Sequence, residues 1–146
     1  ATLGGEVVLQ SHRGKRVMKA ADFQTGMLST ARKADDLVSA VRFPVANPGQ
    51  GHAFQEIARR HGDFAVVALA VVLEGRTARL GIGGVADKPA ILEIADTAAS
   101  DLDSRLNDFA WRLGARDDIQ VSARYRRELV RRLGREVLNE AKNAAS

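Results

Sequence analysis

HAFQEIARRHGDFAVVALAVVL, residues 52–73, joins a short polar and basic segment to a long apolar one through the tight turn His61-Gly62-Asp63. Residues 53–60 read as a strand. Residues 65–73 are so continuously apolar that a strand there needs both faces covered. Glu74-Gly75 turns the chain back, and residues 76–82 then alternate. Ala78, Leu80 and Ile82 fall on one face, and Arg76, Thr77 and Arg79 fall largely away from it, as in a strand with one wet side. Three antiparallel strands are expected.

Downstream, Pro89 suits a first-turn position, so a short helix is expected over residues 89–94. Leu102, Leu106, Phe109, Ala110 and Leu113 recur at three- and four-residue steps, a helix started by Ser100 or Asp101 and stopped by Gly114. Ser122 caps a last helix whose stripe is Tyr125, Leu129, Leu133 and Val137, with Leu138 and Ala141 beside it. Helices on one face of a three-stranded sheet make this part an α+β unit.

Upstream, Val7-Val8-Leu9 and Val17-Met18 flank His12-Arg13-Gly14-Lys15, an apolar, turn, apolar pattern that predicts a hairpin. Residues 21–30 read as an irregular crossing segment. Residues 37–43 form another strand, ended by Pro44, which has no N–H for a ladder. The run from Val45 to Gly51 has two glycines and a proline and no periodicity, and marks a domain boundary. Residues 1–50 are too few to close a core and read as the tail of a larger sheet domain, with residues 51–146 as the second unit. The chain begins at Ala1 and enters a strand almost at once, so it is expected to derive from a longer product.

With 146 residues and 45% hydrophobic content the chain can bury one ordinary core or two small ones. It has no cysteine, so a disulfide, a thiolate metal site and an iron-sulfur cluster of its own are excluded, and a cytoplasmic setting is favoured. No apolar run approaches the roughly 18 residues of a membrane helix, and the first five residues are not a signal peptide, so a protein without a membrane anchor is expected. From residue 120 onward, seven basic side chains face three acidic ones, which accounts for the whole net charge of +4. One reading is a solvated helix face with Arg132 paired to Glu128 or Glu136. The other is a docking surface for an acidic partner or nucleic acid, whose binding would weaken in salt and on neutralising Arg127 and Arg131.

Gly81-x-Gly83-x-x-Ala86 matches a dinucleotide fingerprint, but that site requires a parallel strand, helix, strand unit. Here the motif ends the return strand of a hairpin, and a glycine-rich exit packing closely on a helix is expected instead. His12, His52 and His61 lie in turns or strand ends without metal-ligand spacing, so no metal site is expected. No serine lies in a nucleophile elbow, and no catalytic acid or base can be named. Asp63 reads as an Asx-type turn residue, with ligand contact at a strand edge as the alternative. Trp111 and Tyr125 read as packing residues, not as the exposed aromatics on which nucleic-acid bases stack.

Four ordered blocks together resemble one family: residues 52–73, Gly81-Ile82-Gly83-Gly84-Val85-Ala86, Ser122-Ala123-Arg124-Tyr125-Arg126, and residues 35–44, DDLVSAVRFP. The chain resembles the C-terminal half of the medium, FAD-binding subunit of the molybdenum hydroxylases, of carbon monoxide dehydrogenase and xanthine dehydrogenase type. The resemblance implies the end of an FAD-binding (PCMH-type) domain, followed by the C-terminal domain of CO dehydrogenase flavoproteins. In that family substrate is oxidised at a molybdopterin centre, and electrons pass through two iron-sulfur clusters to FAD and then to an acceptor. It implies an iron-sulfur small subunit and a molybdopterin large subunit as partners, in a dimer of heterotrimers, with no role in nucleic-acid or membrane binding.

The pyrophosphate-binding glycine loops of the family lie in its N-terminal region, so this segment is expected to carry only the isoalloxazine side and to be inactive alone. By matching blocks, Val38 takes the place of an aliphatic residue near the ring and Phe54 that of an aromatic on the flavin-facing strand. Gln55 stands where xanthine oxidases carry lysine, a departure that bears on a charged contact to flavin or acceptor. Arg59, Arg60, Gly62 and Asp63 match the basic pair and turn that follow. For all of these, sheet packing or a solvated charge is the competing reading. The cofactor would carry the electrons, and the protein would shape access and tune the flavin.

Overall fold

The computed structural model describes residues 1–145. The antiparallel order expected from residues 52–82 is present, with one strand more than expected. β6 (Gln50–Ala58), β7 (Ala65–Glu74), β8 (Thr77–Gly83) and β9 (Ala90–Ile94) form a four-stranded sheet in that order. β9 replaces the short helix expected at residues 89–94. Ile91, Leu92 and Ile94 suit a half-buried strand, and pairing Ala78 with Ile94 and Ile82 with Ala90 satisfies the outer edge of β8. Pro89 stands just before the strand, where its missing N–H interrupts no ladder.

Ala78, Leu80 and Ile82 point inward as the alternation requires, opposite Leu73, Val71 and Leu69 of β7. Two helices cover this face, α2 (Leu102–Arg112) and α3 (Ala123–Ala144). The Ser122 hydroxyl caps α3 by accepting the Tyr125 N–H at 3.1 Å. Two glycines allow the close approach. A Cβ on Gly51 would lie 1.8 Å from the Ala141 carbonyl oxygen, and one on Gly134 would lie 3.2 Å from Leu106 Cδ2.

The inward face of α3 differs from the expected stripe. Tyr125 is 48% exposed, and Arg126, Val130, Gly134, Val137, Leu138 and Ala141 are buried, with Leu129 and Leu133 partly so. With the helix turned by about one residue, the Arg126 guanidinium lies inside and meets three acceptors there.

The first part of the chain forms β1 (Glu6–Ser11), β2 (Gly14–Lys19), the one-turn α1 (Ala20–Phe23), the small β3 (Gln24–Gly26) and β4 (Ser29–Thr30) hairpin, and β5 (Leu37–Arg42). The β1–β2 hairpin follows the sequence reading, and the larger sheet runs β2-β1-β5. Val7, Val8 and Leu9 are buried, whereas every residue of β5 is exposed. Residues 1–5 lie across the wet face of the second sheet. Arg79 Nη1 donates to the Thr2 carbonyl at 3.3 Å, and a Cβ on Gly81 would meet Thr2 Oγ1. The close approach at Gly81 is therefore to the N-terminal segment, not to a helix.

Candidate functional site

The face of the four-stranded sheet turned away from the helices carries cross-strand rows set by register. Phe54 lies beside Ala70, which lies beside Gly81, and Glu56, Ala68 and Gly83 form the next row. A floor of small residues thus runs beneath Phe54, whose side chain is 61% exposed. Phe54, Ala70, Gly81, Gln24 and Thr2 line a cleft of about 270 Å³. It adjoins a groove of about 590 Å³, since Gln24, Gly83 and Pro89 line both. Met27, Leu28 and Phe64 line the groove together with Gly83, Gly84 and residues 86–89. Leu28 holds φ 53°, a left-handed conformation that disfavours a bulky side chain, and is fully exposed. Exposed apolar residues over small-residue backbone can receive a planar ring system. Among the described residues, Lys88 is the one basic side chain that lines either cleft, too few for a pyrophosphate cradle.

The four residues singled out from sequence fall in three places. Phe54 lines the cleft. Val38, 48% exposed, sits on β5 in the other sheet and is outside the cleft lining. Gln55, next to Phe54 on the strand, points to the opposite face. There its Nε2 donates to Glu140 of α3 at 2.6 Å, and its Oε1 is buried without a partner. Asp63 is exposed after Gly62, which has φ 82°. Its N–H donates to the Arg60 carbonyl at 3.1 Å and its Oδ1 accepts the Phe64 N–H at 3.0 Å, a local turn role.

Arg126 escapes a sequence reading. It is 8% exposed, and its Nη1 donates to the Val66 carbonyl at 2.6 Å and the Gly84 carbonyl at 2.7 Å. Its Nη2 bonds Asp118. The Val121 and Gln120 N–H groups, then Arg126, hold the Asp118 carboxyl below the ordinary aspartate range. The signal was present as an arginine on the apolar stripe, four residues before Val130 and eight before Gly134.

The other basic groups of α3 are largely engaged within the chain. Arg131 and Arg132 bond Glu128, Arg135 bonds Asp103, and Lys142 donates to the Thr97 carbonyl. The Arg131 guanidinium, with Arg132, pulls the Glu128 carboxyl down to about 2. Arg127 stacks over half-exposed Trp111 at 5.3 Å from the ring centroid, so that tryptophan is not a core residue. Among the described residues no three His, Asp or Glu side chains gather as a metal-holding group, and no helix is long and apolar enough to cross a membrane.

No family model matches the chain. It is 33% identical over 151 residues to the nicotine 6-hydroxylase medium subunit of Paenarthrobacter nicotinovorans, covering 95% of this chain and 53% of that one. It is 37% identical over 92 residues to the carbon monoxide dehydrogenase medium chain of Afipia carboxidovorans, covering 60% of this chain and 32% of the relative. Among solved structures, reconstituted CO dehydrogenase from Oligotropha carboxidovorans superposes with a TM-score of 0.87 at 25% identity, covering 98% of this chain and 54% of that one. Quinoline 2-oxidoreductase from Pseudomonas putida 86 gives 0.82 at 27% identity, covering 99% and 54%. The chain spans at most about half the length of these relatives.

Proposed function

We propose, from the premise that this chain belongs to the medium-subunit family of the molybdenum hydroxylases, that it is the C-terminal part of an FAD-binding subunit. The parent complex passes electrons from iron-sulfur clusters through FAD to an acceptor. The observation that carries this reading is a likeness in both sequence and fold over nearly the whole chain. Residues 1–50 are assigned to the end of the FAD-binding domain and residues 51–146 to the C-terminal domain.

Bound FAD supplies the electron-carrying chemistry. On this chain, Phe54 is assigned the aromatic contact to the flavin ring, supported by its exposure above Ala70 and Gly81. Val38 is assigned an aliphatic contact from the first sheet, and Asp63 a place at the ring edge, held by its turn. Gln55 acts from behind the strand through Glu140. The lack of a pyrophosphate cradle in the clefts leaves that part of the cofactor to the other half of the subunit. An iron-sulfur small subunit and a molybdopterin large subunit are the partners, in a dimer of heterotrimers in the cytoplasm.

The test is reduction of the intact, cofactor-loaded assembly by the compounds that name its relatives and structural neighbours: carbon monoxide, nicotine and quinoline. Bleaching of the flavin band by at least one, slowed by Phe54→Ala, is expected. A fully loaded complex whose flavin none of them reduces, although its molybdenum centre is reduced, would sink the proposal.

A further inference from the structure

The β7–β8 ladder ends at the pair Ala68 and Gly83. Beyond it, β7 runs back to Ala65, which Phe64 of the groove lining precedes, and Gly84 and residues 86–89 line the groove before β9 begins. Gly84 turns hard against β7 at φ 79°, where a Cβ would lie 2.7 Å from the Ala65 carbonyl oxygen. No backbone-to-backbone bond outside the ladders reaches residues 84–89 among the described residues. Their anchors are the buried Val85 side chain and two arginines from the far side of the sheet.

Arg126 is the inner anchor. One nitrogen bridges the Val66 and Gly84 carbonyls where the ladder no longer pairs them, and the other nitrogen is fixed by Asp118. Asp118 is itself set by the Gln120 and Val121 N–H groups, so the bridge is referred to the α2–α3 loop. Arg116, the outer anchor from the same loop, reaches Asp87 at 3.0 Å. A planar guanidinium can serve two carbonyls and a carboxylate at once, and an ammonium group reproduces only part of that geometry. In the low-dielectric interior, loss of this cation leaves two carbonyls without a donor.

We infer that Arg126 is the positioning residue of the groove, holding residues 84–89 and the Phe64 end of β7 at the spacing that a bound ring system meets. This rests on the flavin-side reading above. Arg126 touches neither cleft and acts only through the two carbonyls.

The test compares wild type, Arg126→Lys, Arg126→Met and Arg116→Ala in the intact assembly, by amide hydrogen exchange together with the visible spectrum and midpoint potential of the flavin. Arg126→Met is expected to raise exchange at residues 64–66 and 84–88 by roughly tenfold or more, while β1 and the end of α3 hold their wild-type rates. The flavin spectrum and potential shift with it. Arg126→Lys recovers part of both effects, and Arg116→Ala, which leaves the buried bridge intact, moves both in the same direction by less. Exchange that rises equally everywhere, or a flavin spectrum and potential identical across the series, overturns the inference. If the wild-type assembly holds no flavin while Arg126→Met still loosens residues 84–88, the flavin reading is overturned instead and the positioning of the groove side stands.

Discussion

Val67, Leu69 and Leu80 in the four-stranded sheet are wholly buried under α2 and α3, whereas Leu37, Val38, Val41 and Phe43, on and just after β5, remain exposed in the three-stranded one. The main apolar core comes from residues 66–141, and the first fifty residues add Val7, Val8 and Leu9. The first region is also tied by ion pairs. Arg16 bonds Asp36 at 2.6 Å, and Arg13 meets Asp35 at 2.7 Å. Apolar burial closes the second region, and the first presents an unfinished face.

Four measurements bear on this contrast. Leu69→Ala should lower unfolding stability by about 2–5 kcal/mol, because it opens a cavity in a closed core. Leu37→Ala on β5 should stay within about 0.5 kcal/mol. Urea unfolding of both decides it, and equal losses would break the distinction. Next in size, Gly51→Ala should cost about 1–3 kcal/mol by forcing β6 away from the Ala141 carbonyl. Wild-type stability in that variant would mean that the helix and strand separate freely.

The third measurement concerns acid. The Arg16 side chain, then the Lys33 N–H, hold the buried Asp36 carboxyl below the ordinary aspartate range. With a folded-state pKa below the unfolded one, the contribution is complete above the ordinary value of about 4 and is lost as pH falls through the lowered one. Asp36→Asn should therefore be less stable than wild type at neutral pH, and the gap should narrow in acid. A gap independent of pH would remove charge from the account of the first region. Smallest is Gln55→Lys, which places a cation beside Glu140 and should stabilise by about 0.5 kcal/mol. Gln55→Glu should destabilise, and thermal unfolding of the pair gives the sign.

Patterns local to a segment were legible in the sequence. The alternation of Ala78, Leu80 and Ile82, the Ser122 cap and the His61-Gly62-Asp63 turn each depend on neighbours in the chain, and the structure carries all three. Residues 89–94 read as helix from sequence because so short a largely apolar segment, broken by Glu93, fits either state until a strand edge claims it. The phase of α3 was missed because Arg126 turns inward only where carbonyls 60 and 42 residues away await it. At the site, strand alternation alone puts Phe54 and Gln55 on opposite faces. The relation of Val38 to them depends on how two sheets meet and on the irregular β1–β5 register near Leu9, which no local pattern encodes.

The most direct test of the central claim is the visible absorption spectrum of the native assembly purified through this polypeptide, with molybdenum and subunit analysis. Flavin and iron-sulfur bands, bound molybdenum and two co-purifying chains are the predicted result. A colourless single species would contradict it.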